Sequence, residues 1–312
     1  MTGGADMTKR LLDCSASELA GYSAKQLLEA IAGSEGRVLA GECIGITQPL
    51  FTDTTNAEVV AAMGADLLLL NMFDVQNPVI QGLPKVPKED TVRELKRLTG
   101  RVIGINLEPV ECAEKEDDSL WEMTDGRRAT AENGLLAAGM GVDMVLLTGN
   151  PGNGVSNQAI TDSLSAIREA VGDRLILAAG KMHASGVISE GADHIITEED
   201  IRAFCKAGAD VILLPAPGTV PGITVEGIRK LVACAHSLGA LTITSIGTSQ
   251  EGSDVATIRQ IALWSKMTGT DIHHIGDSGY VGMALPENIM TYSIAIRGIR
   301  HTYHRMAQSV NR

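Results

Sequence analysis

The sequence predicts a closed (β/α)8 barrel, the TIM-barrel architecture, on three observations. Aliphatic runs of strand length recur eight times, helical patterns separate them, and no GxGxxG turn follows the first run, as a doubly wound open sheet would favour. The runs are "RVLAGECIG" (37–45), "DLLLLNMF" (66–73), "RVIGINLEPV" (101–110), "DMVLLTGN" (143–150), "RLILAAGK" (174–181), "DVILLPAP" (210–217), "LTITSIGT" (241–248) and "DIHHIGDS" (271–278). Near-continuous apolar strands suit a parallel sheet buried on both faces.

The helices between them carry their own signals. "TVEGIRKLVACAHSLGA" puts Ile228, Leu231, Val232, Ala235 and Leu238 on one stripe, with Gly239 as its stop. Thr197 and Asp200 open another helix as N-cap and partner. Two more capping boxes, Ser15/Glu18 and Ser23/Gln26, mark helices ahead of the first strand. Residues 1–36 therefore read as a leader and helical extension, with Met7 as an alternative start, and residues 37–312 as one barrel domain. Strands one, three and five open with Arg37, Arg101 and Arg174. Strands two, four, six and eight open with Asp66, Asp143, Asp210 and Asp271. This alternation predicts a belt of ion pairs at the N-terminal face, broken at Leu241, or simply marks where strands leave solvent.

Bulk composition narrows the partners. The 312 residues are 44% hydrophobic and 21% charged, with a formal net charge of −12, which repels a phosphodiester backbone and argues against nucleic acid. The C-terminal cluster Arg297, Arg300, His301, His304 and Arg305 reads as cations at a helix C-terminus or as a contact in a homo-oligomer. The five cysteines are scattered with no CxxC pair, as for reduced thiols in the cytoplasm. No apolar run approaches the roughly 20 residues that span a bilayer, so no membrane partner is expected.

In a barrel of this kind the chemistry sits at the C-terminal strand ends. After strands seven and eight, Gly247, Thr248, Ser249, Gly276, Ser278 and Gly279 form Gly/Ser/Thr turns suited to a phosphate, or else serve as ordinary turns. Neighbouring residues on a strand face opposite ways, so only one of His273 and His274 is expected at the mouth, with Asp277 beyond the strand as acid/base or orienting group. Lys181, and His183 beside it, end strand five; the lysine would act as a plain charge or as a Schiff-base amine. Glu42, Asn71, Asp74, Asn106 and Glu108 gather oxygen donors on three strands in a way that suits Mg²⁺, with Glu108 the preferred ligand or base. No HExxH or Cys/His spacing argues for zinc, and no nucleotide cofactor is expected. Two loops on this side, 74–90 and 111–130, the second with Trp121, have the length of lids.

The stretches "RLLDCSAS", "NAEVVAAMGADLLLLNMFDVQNPVIQGLP" and "GDSGYVGMALPENIMTYSIAIRGIRHTYHRM" resemble a bacterial family of TIM-barrel proteins of uncharacterised activity, nearly end to end. Its members carry the labels phosphoenolpyruvate mutase-like or haloacid dehalogenase-like. The first label fits "NAEVVAAMGADLLLLN". The metal-binding acidic pattern of that superfamily is replaced by "INLEPV", its strand-four glutamate by "LLTGN" and its strand-five arginine by "AAGKM". The second label lacks its DxDx(T/V) motif. The resemblance implies the fold and transfers no catalytic residue. The resulting expectation is a lyase, mutase or aldolase acting on a small phosphorylated or carboxylated metabolite. A phosphosugar isomerase or epimerase, and a non-catalytic metabolite-binding barrel, are the alternatives.

Overall fold

The structure, a computed structural model, describes residues 8–109, 123–149, 155–182, 184 and 191–312. Eight parallel strands close into one barrel in sequence order: β1 (Val38–Ile44), β2 (Leu67–Asn71), β3 (Val102–Leu107), β4 (Met144–Leu147), β5 (Ile176–Gly180), β6 (Val211–Pro215), β7 (Leu241–Ile246) and β8 (Ile272–Ile275). Helices connect them on the outside: α3 (Asn56–Ala62), α4 (Thr91–Thr99), α5 (Ala131–Met140), α6 (Asn157–Val171), α7 (Glu198–Ala207), α8 (Val225–Ser237) and α9 (Val255–Thr268), with α10 (Pro286–Ala307) after β8. On α8, Ile228, Val232 and Ala235 are buried, whereas Leu238 lies just past the helix end and is exposed.

Period-two alternation divides the strand residues between two cores. Leu39, Leu68, Ile103, Val145, Leu177 and Ile212 pack under the helices. Val38, Leu67, Val102, Met144, Ile176 and Val211 fill the barrel. The N-terminal extension closes the bottom of that inner core. Its helices α1 (Ala16–Gly21) and α2 (Ala24–Ala32) both start on the expected capping boxes, and Leu11, Leu19, Leu27 and Ile31 join the interior cluster.

The N-terminal face holds a belt, built differently from the sequence expectation. Asp66, Asp143, Asp210 and Asp271 each immediately precede an even-numbered strand. One oxygen of each accepts the N–H of the second residue of the preceding strand: Leu39, Ile103, Leu177 and Thr242, at 2.8, 2.8, 2.9 and 2.8 Å. The side-chain partners come from the helix layer and not from the strand arginines. Lys96 pairs with Asp143, Arg168 with Asp210, His236 with Asp271, and both Arg297 and Arg305 with Asp66. Arg37, Arg101 and Arg174 instead donate to the carbonyls of Ser34, Ala65 and Val171. These carbonyls lie at a helix end or in the turn just past one, where the helical ladder leaves acceptors open.

Asp66 is the fully buried member. Burial works to raise its pKa, but Arg297 and Arg305 hold it below the usual carboxylate range. Both arginines reach it because Gly298 (φ 76°, ψ 168°) breaks the helical path of α10 between them. The C-terminal basic cluster thus contributes two of its members to the interior and not to an exposed face. Arg305 also donates to the Leu11 carbonyl and so ties α10 to the extension. Among the described residues no helix is long and apolar enough to cross a membrane.

Candidate active site at the barrel mouth

The inward-facing positions change character along the strands. Ala40, Leu69, Gly104, Ile243 and Ile272 lie deep, and two residues on, at the C-terminal ends, come Glu42, Asn71, Asn106, Ser245 and His274. These five polar residues, with Asp277 and Glu251 from the loops above, line a cleft of about 220 Å³ at the mouth. A second cavity of about 270 Å³ lies beside α7 and α8, lined by Thr197, Thr224 and Lys230, and brings together none of the expected site residues.

One hydrogen-bonded chain crosses the mouth. Asn106 Nδ2 donates to Glu42 Oε1 at 2.8 Å and to Asn71 Oδ1 at 3.2 Å. Asn71 Nδ2 donates to Asp277 Oδ2 at 2.7 Å. On the other side, Ser245 Oγ bonds His274 Nδ1. His274 Nε2 has no hydrogen-bond partner among the described residues and lies 3.8 Å from Glu42 Oε2. That gap is too long for a hydrogen bond and short enough for one substrate oxygen to bridge.

Electrostatics favours the uncharged form of both members of this pair. Burial, reinforced by the charges of Asp277 and Glu251, holds Glu42 well above the usual carboxylate range despite the bond from Asn106. Burial alone pushes His274 down to about 3. Glu251, 5% exposed, is also raised, first by burial and then by Asp277. A protonated carboxyl beside a neutral imidazole is the state that can both give and take a proton.

The turns expected to cradle phosphate are differently used. Gly247 N–H donates to Thr219 Oγ1 at 3.0 Å and Gly276 N–H to the Ile246 carbonyl at 2.9 Å. Ser278 N–H donates to Glu251 Oε1 at 3.2 Å and Gly279 N–H to Asp277 Oδ1 at 2.8 Å. The Thr248 hydroxyl donates to the carbonyls of Thr219 and Gly247, and Ser249 is the left-handed residue that opens a 3-10 turn. The N–H groups of Gly247, Gly276, Ser278 and Gly279 are thus met by protein acceptors, two of them by the carboxylates of Glu251 and Asp277.

Other expected residues fall elsewhere. His273 faces outward; its Nε2 meets the Gly36 carbonyl at 3.0 Å and its Nδ1 the Tyr292 hydroxyl at 3.3 Å. Glu108 lies outside the cleft lining and pairs with Arg127. Asp74 Oδ1 accepts the N–H groups of Gln76 and Asn77, both at 2.8 Å, closing its own turn. Lys181 is buried, 3% exposed, and does not line the cleft; Met182 does. His183 lies outside the described residues, as do residues 111–122 of the second lid loop, Trp121 among them. The first lid loop is tied down, with Gln81 N–H on the Gly45 carbonyl and Val75 N–H on that of Gly126, and it does not reach the mouth cleft.

The five residues expected to hold Mg²⁺ therefore do not converge on one point. Glu42 and Asn71 share Asn106, while Asp74 and Glu108 are committed to other partners. Among the described residues no three His, Cys, Asp or Glu side chains are grouped so as to hold a metal ion.

Residues 12–312 match the family described as a domain of unknown function, DUF7916. The chain belongs to the DUF7916 family. No curated protein matches its sequence. The DUF7916 barrel is similar in structure to an archaeal fructose 1,6-bisphosphate aldolase, at 12% identity and a TM-score of 0.54, over 84% of this chain and 94% of that one. It is similar also to 2,3-dimethylmalate lyase, a member of the phosphoenolpyruvate mutase/isocitrate lyase superfamily, at 14% identity and a TM-score of 0.51, over 84% and 81%. At such identities the likeness establishes the (β/α)8 fold of this DUF7916 member and nothing finer.

Sequence reasoning missed Glu251 and Ser245. Ser245 was within reach, because counting in twos from Ile243 carries the inward register to it, as counting from Ala40 reaches Glu42. Glu251 sits in a 3-10 turn whose path no periodicity describes.

Proposed function

We propose that the chain is a barrel enzyme of lyase or aldolase type, with Glu42 and His274 as an acid/base pair acting on a small polar metabolite in the mouth cleft. The observation that carries this reading is the pair itself. Glu42 Oε2 and His274 Nε2 face each other across 3.8 Å in a buried cleft, and the histidine nitrogen is unpartnered among the described residues. The lyase and the aldolase whose barrels resemble this one lend the reading its reaction class.

On a β-hydroxy carbonyl substrate, His274 Nε2 takes the hydroxyl proton as the carbon–carbon bond breaks and its electron pair moves toward the carbonyl oxygen. Glu42 gives its proton to the enolate so formed. The imidazolium then returns a proton to the Glu42 carboxylate through a water or product hydroxyl that bridges the 3.8 Å between them, which restores both groups. Ser245 fixes the ring through Nδ1, and the chain Asn106–Asn71–Asp277 holds Glu42 in place.

The test is a panel of β-hydroxy carbonyl compounds followed by NMR in deuterated water. Cleavage or deuterium incorporation is expected with the wild type. It should fall by about 10²–10⁴ in Glu42→Gln and in His274→Gln, each checked for folding by circular dichroism. Folded variants that keep the wild-type rate would remove the pair from the chemistry.

A further inference from the structure

The cleft offers hydrogen-bond acceptors and is short of donors. Three carboxyl groups line it, those of Glu42, Glu251 and Asp277, and no lysine or arginine does among the described residues. Asn106 Nδ2 donates to Glu42 and Asn71, and Asn71 Nδ2 donates to Asp277. Two buried acceptors, Asn106 Oδ1 and Glu251 Oε2, have no hydrogen-bond partner among the described residues, and their residues are 7% and 5% exposed. An unpaired buried acceptor is costly to leave unmet, so these atoms call for N–H or O–H groups from a ligand.

An anionic ligand meets the opposite situation. The Ser278 and Gly279 N–H groups, which a phosphate or carboxylate would seek, are filled by Glu251 and Asp277. To enter, it would have to displace one of these two internal carboxylates while standing beside the other. A cation gains from the same arrangement, because it meets carboxylates of opposite sign at close range.

We infer that the mouth cleft takes a small amine-bearing hydroxy carbonyl compound, whose ammonium faces Glu251 and Asp277 and whose hydroxyls satisfy Asn106 Oδ1 and the Glu42–His274 pair. This rests on reading the mouth as the substrate site, and it replaces the phosphorylated or carboxylated class with a ligand free of net negative charge. The ammonium supplies three donors to a site that lacks them. It also balances the charge that the folded protein otherwise leaves on closely spaced carboxyl groups.

The experiment is calorimetric titration of the full chain with three probes of one carbon skeleton: 2-amino-1,3-propanediol, glycerol and glycerol 3-phosphate, at fixed ionic strength and neutral pH. The amine is expected to bind about tenfold more tightly than glycerol, and glycerol at least about tenfold more tightly than the phosphate, as befits a site that penalises like charge. Glu251→Gln should compress the first ratio toward unity. Wild-type protein that binds the phosphate most tightly, shows no preference for the amine over glycerol, or fails to bind the amine overturns the inference. His274→Gln, which removes the proposed base, should keep the order of affinities. Loss of turnover with the order kept, or a reversed order with turnover intact, therefore separates the two readings.

Discussion

Replacing Glu42 by Gln separates the titration of the carboxyl from the bonds it makes. The variant keeps the side-chain shape and an oxygen to accept from Asn106 Nδ2, now 2.8 Å from Glu42 Oε1. What it loses is the ability to ionise beside Asp277 and Glu251 in a buried cleft. The native pKa of Glu42 lies above its ordinary value of 4.5, so between those two values the native state binds more protons than the unfolded chain. Stability must then fall as pH rises through that window, at a slope of up to about 1.4 kcal/mol per pH unit for one group, and level off above the native pKa. The variant lacks this slope. Wild type and Glu42→Gln should therefore nearly coincide at pH 4, and the variant should gain on the wild type by that increment per unit above it. His273, His274 and Glu251 are common to both proteins and largely cancel in the difference. Urea unfolding at half-unit pH steps, with stability read from the midpoints and slopes, measures it. A difference that stays flat with pH, or a variant that weakens relative to wild type as pH rises, would refute the argument that Glu42 is held protonated.

Three further outcomes follow from the same structure. Burial lowers His273 from 6.5 to about 3, so its contribution is present above the unfolded value and lost as pH falls through the window; 3.5 units at about 1.36 kcal/mol each gives at most about 5 kcal/mol, and His273→Gln should flatten the acid limb of the stability curve. Asp66→Asn leaves Arg297 and Arg305 buried without their counter-charge and should cost about 3–5 kcal/mol, whereas Asp143→Asn, whose Lys96 partner is partly exposed, should cost less in the same unfolding assay. Glu108→Gln should lower stability by about 1–3 kcal/mol through its bond to Arg127 and leave kcat and KM unchanged; a hundredfold loss of kcat in a folded Glu108→Gln protein would return Glu108 to the chemistry.

Much of this protein follows from local sequence order. Strand and helix alternation, the capping residues Ser15, Ser23 and Thr197, and the opposite facing of His273 and His274 depend on the period of the backbone and on neighbours three or four positions away. The inward polar set Glu42, Asn71, Asn106, Ser245 and His274 obeys the same period, since two residues of rise separate it from the apolar layer beneath. Tertiary structure alone decided which partners those groups meet. Asp66 finds arginines more than 230 positions away because Gly298 turns the chain between them. Glu251 and Asp277 fill the N–H groups that composition assigned to phosphate. Glu108 and Asp74, acidic and correctly placed at strand ends, are claimed by Arg127 and by a local turn. A sequence states which groups are present and which way a strand faces them. Whether a carboxylate is neutralised, hydrogen-bonded or left facing a cleft depends on distances of a few ångströms across the closed barrel, and only the folded chain sets those.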